Sequence, residues 1–258
     1  MTARVTLRPD RRFWAVLVIC GWLGGMAALA ARRHSVPPAQ LLARGVLGLQ
    51  PATFYYAVTQ NGRPIGSASS AIDTLDSGLL ARDVAIVRGL NMGDSQTVTG
   101  ISSAYLSRAF ALDSFALSVN NGRTAIRLHG KTVGRDAVLL PGLVPIAVML
   151  ATQPRVGTRT AMWIYNPVAR RVQRVTLSIA AESLFRVVDS AAFDSPRGTW
   201  IASHADTIRS WKITIPTNSV SAWVDSQGRI VEAEEAGGLK IVRTAYEVAA
   251  LNQKQFAH

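Results

Sequence analysis

The hydrophobic pattern divides the chain into two regimes. From Phe13 to Ala31 the run FWAVLVICGWLGGMAALAA carries no charge over 19 residues. As a helix it is about 28 Å long, at about 1.5 Å per residue, which suffices to cross a bilayer. The stretch Ser35-Val-Pro-Pro-Ala-Gln-Leu-Leu-Ala-Arg-Gly45 has a capping serine, prolines in the first turn and a terminal glycine, and predicts a short helix near the headgroups. Beyond Pro51 the period becomes two. Phe54, Tyr56 and Val58 alternate with Tyr55, Ala57 and Thr59; Val175, Leu177 and Ile179, and Trp211, Ile213 and Ile215, alternate in the same way with polar neighbours. Such strands bury one face. Asn61-Gly62 and Asn121-Gly122 supply the positive backbone angles of tight hairpins, and Asp225-Ser-Gln-Gly228 offers a third turn.

Between Thr53 and Val242 this pattern predicts about ten to twelve strands, connected mainly as neighbours in an antiparallel meander. Two helical interruptions stand out. Pro141 to Gln153 is too continuously apolar for a solvated helix, and Thr244 to Lys254 carries Tyr246, Val248 and Leu251. Both are expected to cover an edge or the open face of a curved sheet. The fold class expected is therefore mainly β: a long-stranded, curved antiparallel sheet, half-barrel-like, with one or two covering helices and a single transmembrane helix before it. The corresponding domains are a cytoplasmic N-terminus over 1–12, a transmembrane helix over 13–31, a juxtamembrane linker over 32–52 and an extracytoplasmic β domain over 53–258.

Charge sets the orientation. Arg4, Arg8, Arg11 and Arg12 precede the apolar run and Arg32 and Arg33 follow it, so the positive-inside rule places the N-terminus in the cytoplasm and the main domain in the periplasm, anchored to the inner membrane. Ala28-Leu29-Ala30 has the small-x-small form of a signal-peptidase site, which leaves cleavage after Ala30 as an alternative. Cys20 follows Ile19, where a lipobox requires a small residue, which argues against lipidation. Gly21 with Gly25, and Gly24 with Ala28, form a strip of small residues four apart, the spacing at which a second membrane helix packs closely. Small residues are also common in such segments without a partner.

The chain has 28 Lys+Arg against 16 Asp+Glu, and from Ser35 onward the balance is 22 against 15. A positive surface suits anionic lipid headgroups or an acidic partner. No basic run is interleaved with aromatics, so nucleic acid is not an expected partner. One cysteine rules out an internal disulfide, and four histidines at positions 34, 129, 204 and 258 lack the paired spacings of an ordinary zinc site. No metal or cofactor is expected on that basis.

Catalytic constellations are equally thin. No G-x-S-x-G elbow occurs, and the only thiol lies in the apolar run. His204 and Asp206 stand two apart on one strand face, which reads as a polar strand pair rather than half of a triad. Glu232, Glu234 and Glu235 form the densest acidic cluster and read as solvated charges near Lys240 and Arg243. No catalytic residue is assigned. Trp163, Trp200, Trp211 and Trp223 are the candidate apolar lining if the sheet encloses a ligand, although strand tryptophans are more commonly core.

Tyr55-Tyr56 with Gly62, Ile65 and Gly66, the stretch Asp113-Ser-Phe115-Ala-Leu117, and Trp223-Val-Asp225-Ser-Gln-Gly228-Arg-Ile230 followed by Arg243-Thr244 and Glu247-Val-Ala249 together resemble a bacterial extracytoplasmic β region. That region is found ahead of the catalytic domain in some transglutaminase-like proteins. The resemblance covers about residues 53 to 250 and brings over no catalytic residue. The architecture is also similar to the half-barrel of lipoprotein carriers, which hold acyl chains on a concave apolar face.

These readings lead to a non-catalytic scaffold subunit of a larger membrane complex, whether photosynthetic, respiratory or envelope-building. Its partners would be integral membrane subunits contacted through the membrane helix and the β domain. The alternatives are a lipid or lipoprotein carrier module and an enzyme of unrecognised type.

Overall fold

The computed structural model describes residues 38–88, 97–131, 138–151, 154–166, 170–215, 220–235 and 237–254. The expected span 13–31, with Cys20, Gly21, Gly24, Gly25 and Ala28, lies outside them. No described helix is long and apolar enough to cross a membrane.

The chain enters through helix α1 (Pro38–Leu47) and then runs as strands β1 (Ala52–Gln60), β2 (Arg63–Leu75), β3 (Gly78–Arg88), β4 (Thr97–Ser107), β5 (Leu112–Asn120) and β6 (Ala125–Lys131). A two-residue strand β7 (Val138–Leu139), a 3-10 turn (Pro141–Leu143) and helix α2 (Val144–Ala151) come next. Strands β8 (Arg159–Asn166), β9 (Arg171–Asp194), β10 (Thr199–Ile215), β11 (Val220–Val224), β12 (Ile230–Glu235) and β13 (Leu239–Thr244) follow, and helix α3 (Tyr246–Lys254) closes the described chain.

All thirteen strands form one sheet, in the order β6-β5-β4-β3-β2-β1-β13-β12-β11-β10-β9-β8-β7. Two meanders, β1 to β6 and β7 to β13, are joined where β1 pairs antiparallel with β13, Tyr56 opposite Arg243. The expected meander holds except at three places: the non-sequential β1–β13 pair, the consecutive strands β6 and β7 at opposite edges, and the parallel β7–β8 pair, Val138 opposite Trp163. Period-two reading could not foresee them, because alternation reports which face is buried and not which strand lies alongside.

The sheet must curl. Laid flat, thirteen strands would be about 58 Å wide at about 4.8 Å between neighbours. Yet its two edge strands are consecutive in the chain: seven residues carry Lys131 on β6 to Val138 on β7, a reach of at most about 25 Å. The Phe115 ring on β5 accordingly meets the Tyr165 ring on β8, centroids 5.2 Å apart. The edges remain unpaired with each other, so the sheet is curved and unclosed.

The hollow of that curve is filled from within. Helix α2, VPIAVMLA, is apolar on every side, a sequence that forms a helix in a protein only when surrounded. Val144, Ile146, Ala147, Val148 and Met149 are all buried, in one core with Ile72, Leu79, Leu106 and Phe110 from the first meander and Ile164, Leu177, Ile179, Trp211 and Ile213 from the second. Helix α1 adds Leu42 and Val46 to the same core, and Leu49 just beyond its end joins them. It packs on α2 so tightly that a Cβ on Gly45 would lie 2.8 Å from the Leu150 Cβ. Gly45 was expected to end a helix beside the headgroups. Instead it lies inside one that runs on to Leu47, and the apolar face of that helix belongs to the domain core.

Helix α3 lies on the other face, where Tyr246 meets Tyr55 edge-on at 4.9 Å and Ala249 is buried. The two anticipated helical segments are therefore present but cover opposite faces, because Tyr55 and Tyr56 point to opposite sides of β1.

Two glycine turns separate backbone strain from packing. Gly62, in the β1–β2 hairpin, has φ +78 with open space around it, whereas Gly228, in the β11–β12 turn, has φ +77 and would place a Cβ 2.3 Å from the Ile146 Cα of α2. Gly62→Ala should cost about 1 kcal/mol from strain alone. Gly228→Ala should cost several times as much, about 3 kcal/mol or more, because the turn must also lift off α2. Chemical denaturation midpoints of the two variants provide the comparison.

Candidate functional site: a projecting arm and the groove at its root

Strand β9 pairs with β8 only through Arg171–Ser178, and β10 pairs with β11 only from Trp211 onward. Between these limits the two strands pair with each other, from Ser183 opposite Ser210 out to Asp194 opposite Thr199. Twelve residues on each side make an arm roughly 40 Å long at about 3.3 Å per residue.

The inner half of the arm is fastened to the body. Phe185 packs on Trp223 with ring centroids 4.9 Å apart, and Val187 is buried. Glu182 accepts hydrogen bonds from Arg209 Nε at 2.6 Å and Trp211 Nε1 at 3.1 Å. The outer half is not fastened. No residue from Asp189 through Asp206 is buried. Near the tip Phe193 and Ile201 are 52% and 43% exposed, and Phe193 stacks edge-on against Trp200 at 5.4 Å, holding the ribbon together.

Where the arm leaves the body, a groove of about 420 Å³ opens between it and the β1–β13–α3 corner. Val187, Asp189, Asp206 and Ile208 line one wall, and Phe54, Arg243, Tyr246 and Glu247 line the other. Asp189 and His204 face each other across the arm, with His204 Nδ1 donating to the carboxylate at 2.8 and 2.9 Å. The pairing is irregular on both sides of His204, and such bulges re-aim side chains. The Asp189 carboxyl titrates below its ordinary value, chiefly because His204 hydrogen-bonds to it, and the His204 imidazole is raised by the same bond and by the Asp189 charge. Asp206 joins them: one ligand atom from each of the three residues lies within 4.8 Å of the others.

Beneath the groove lies a charge network in the interior. Arg243 is buried, its Nη1 and Nη2 both donate to Asp225 Oδ2 at 3.0 Å, and its Nε donates to the Ile230 carbonyl at 2.7 Å. The other Asp225 oxygen accepts the backbone N–H groups of Gln227 and Arg229 at 2.9 Å, so one carboxylate both shapes the β11–β12 turn and neutralises Arg243. The Arg243 guanidinium also lies over the Phe54 ring, 4.3 Å from its centroid. Arg229 is buried beside it with one bond, Nη2 to the Gln50 carbonyl at 3.2 Å, while Nε and Nη1 lack a protein partner. Burial lowers the Arg229 pKa, against the opposing pull of Asp225. Burial pushes Tyr56 up to about 12 and so keeps this phenol neutral, although the Arg243 charge pulls the other way.

The four tryptophans proposed as lining do not converge. Trp211 is buried in the core; Trp163 is 43% exposed; Trp200 is on the arm and Trp223 packs under its base. His129 is exposed on β6. Glu232 forms an ion pair with Lys240 at 2.9 Å. His204 and Asp206, singled out in sequence, come together with a third titratable group, Asp189. Asp189 was missed because it is 15 residues away in sequence and is brought close only by hairpin pairing. Arg243 carried a usable signal: it shares the inward phase of β13 with Ile241, opposite Tyr56 and Val58.

Two expectations follow. Asp225→Ala should destabilise the protein by about 3–5 kcal/mol, since it strands a buried guanidinium, and Asp225→Ala with Arg243→Met should recover part of that loss in a denaturation cycle. His204 should titrate above the ordinary histidine value in chelator-treated protein, as read by the NMR shifts of its ring, and Asp189→Asn should return it toward that value. The stabilisation from this exposed pair is present while His204 is protonated and is lost as pH rises through its raised pKa. On the acid side it is lost as pH falls through the lowered Asp189 value.

No protein-family model and no curated protein matches the chain. Among solved structures it is similar to a DUF1089 family protein from Pseudomonas aeruginosa, at 11% identity and a TM-score of 0.39, over 70% of this chain and 95% of that one.

Proposed function

We propose that the chain is a non-catalytic, membrane-anchored scaffold of the periplasm. The apolar segment 13–31 holds it in the inner membrane with the N-terminus in the cytoplasm, and the β domain docks onto integral membrane subunits of a larger complex. The observation that carries this reading is the outer arm. A two-stranded ribbon by itself is marginal in water, yet this one holds Phe193 and Ile201 out in solvent. Single exposed apolar groups are ordinary on a protein surface. An aromatic pair beside an exposed isoleucine, at the end of a ribbon with no other strand alongside, fits an element that is completed by a partner. The remaining basic surface would lie well against anionic headgroups or an acidic subunit.

The carrier alternative has less support. A half-barrel that holds acyl chains needs an open concave face, and here α1 and α2 occupy it. The cavity beside the 3-10 turn, lined by Asp83, Ser102 and Phe115, measures about 120 Å³, smaller than the roughly 150 Å³ that accepts a benzene ring.

The full chain, extracted in mild detergent and identified with its companions by mass spectrometry, should carry a stoichiometric integral membrane partner. Phe193→Ser with Trp200→Ser and Ile201→Ser should reduce recovery of that partner at least tenfold, and Gly21→Leu with Gly25→Leu should weaken it independently. A strictly solitary monomer, wild type and variants alike, would refute the proposal.

A further inference from the structure

We infer that the outward face of strands β6, β8 and β9 is the surface by which this domain lies against the headgroups of an anionic phospholipid bilayer. The inference rests on the proposed anchoring through 13–31 and names the face that such anchoring presents to lipid.

The positive charge of the domain is concentrated in one stretch. From Ser35 onward there are 22 Lys+Arg against 15 Asp+Glu, yet between Asp113 and Glu182 the chain carries nine Lys or Arg and a single acidic residue, Asp136. That stretch therefore supplies more than the whole excess, and the rest of residues 35–258 is slightly negative. A general preference for arginine would have spread the charge evenly.

Strand pairing puts these cations on one surface. On β6, Arg127, His129 and Lys131 recur at every second position and are exposed. The other phase faces inward, where a Cβ on Gly130 would meet the buried Phe115 ring at 2.6 Å. On β8 and β9, Trp163 stands opposite Arg174 and Ala161 opposite Thr176, and these four are exposed together with Arg159 and Val172 of the same phase. The alternate phase, with Ile164, Val175 and Leu177, belongs to the core. Both rows thus point outward. The contact of Phe115 on β5 with Tyr165 on β8 brings them to the two sides of one seam. Among the described residues, no carboxylate forms an ion pair with Arg127, Lys131, Arg159 or Arg174.

Two features select lipid over an acidic protein surface. An indole among guanidinium groups suits the headgroup level, where its ring can lie toward the acyl boundary while the cations meet phosphate. The tether is also short. Only six residues, 32–37, separate the apolar run from α1, a reach of at most about 20 Å, so the domain is held close to the bilayer and one of its faces must meet it. Each Lys or Arg near an anionic membrane surface strengthens association about fivefold, and cations spread over three strands match a continuous sheet of negative charge.

The test reconstitutes the full-length chain into vesicles of phosphatidylcholine alone or of an equal mixture with phosphatidylglycerol, both with brominated acyl chains that quench nearby indoles. The quenching due to Trp163 is the difference between the native chain and Trp163→Phe. It should rise at least about fivefold with phosphatidylglycerol and fall back in about 0.5 M NaCl, where surface charge is screened. It should vanish in the quadruple variant Arg127→Gln, Lys131→Gln, Arg159→Gln, Arg174→Gln. Arg63→Gln with Arg82→Gln, at exposed cations outside this face, should leave it unchanged. All the substituted side chains are exposed, so the variants should fold, as matching far-UV circular dichroism will verify. A chain that incorporates into both vesicles with equal Trp163 quenching overturns the inference and leaves the anchoring intact. A chain that incorporates into neither overturns both. Shielding of Trp163 from acrylamide that follows a co-purified acidic protein in phosphatidylcholine alone overturns the inference in favour of a protein partner.

Discussion

An eight-residue helix without a polar side dictates the shape of this domain. VPIAVMLA has no face to offer water, so whatever surrounds it must approach from several directions at once. A flat sheet could cover only one side. The thirteen strands instead curve around α2, with Phe115 and Tyr165 meeting from near opposite edges, and α1 covers part of what the sheet leaves open. The short link between the edge strands β6 and β7 enforces the same curvature covalently, and it places α2 directly after the shortest strand so that the chain turns inward immediately. Close packing carries this economy into detail: Gly45 and Gly228 sit where α1 and the β11–β12 turn touch α2, at distances that leave no room for a side chain.

The part of the interior that α2 does not reach is handled by charge. Arg243, Asp225 and Arg229 lie near the seam where the two meanders join, under Phe54 and beside Tyr56. A buried ion pair of this kind adds little net stability compared with apolar packing, because both ions lose their hydration. Its directional hydrogen bonds do hold one arrangement: Arg243 reaches across to the Ile230 carbonyl and Asp225 and thereby ties β13 to the β11–β12 turn at a single register. The seam is also where the groove opens and where α3 begins, so the arm root is seated on a rigid floor.

That contrast between floor and arm organises the molecule. The described strands β1 to β8 and β11 to β13 are each paired with a neighbour in the sheet along the body of the domain. The outer halves of β9 and β10 are braced only by one another. Apolar surface at the tip and the exposed Asp189–His204–Asp206 cluster at the root belong to a segment that the buried core does not include.

Much of the secondary structure was readable from residue order. Tyr56 and Val58, Val175, Leu177 and Ile179, and Trp211 and Ile213 are buried as their alternation requires, and the hairpins at Asn61-Gly62 and Asn121-Gly122 and the turn at Asp225-Gly228 stand where they were expected. Both helical segments were visible for the same reason: strand periodicity stops and continuous or helical periodicity replaces it. These are local properties, determined by backbone sterics and by which face of an element must avoid water. Strand order was not local. That β1 pairs with β13, that α2 enters the hollow while α3 stays outside, and that Asp189 meets His204 all depend on residues far apart in sequence being brought together by the collapse of the whole chain. Alternation specifies a face but not a neighbour, and a charge cluster assembled across strands leaves no spacing in the sequence to recognise; only the tertiary structure decides it.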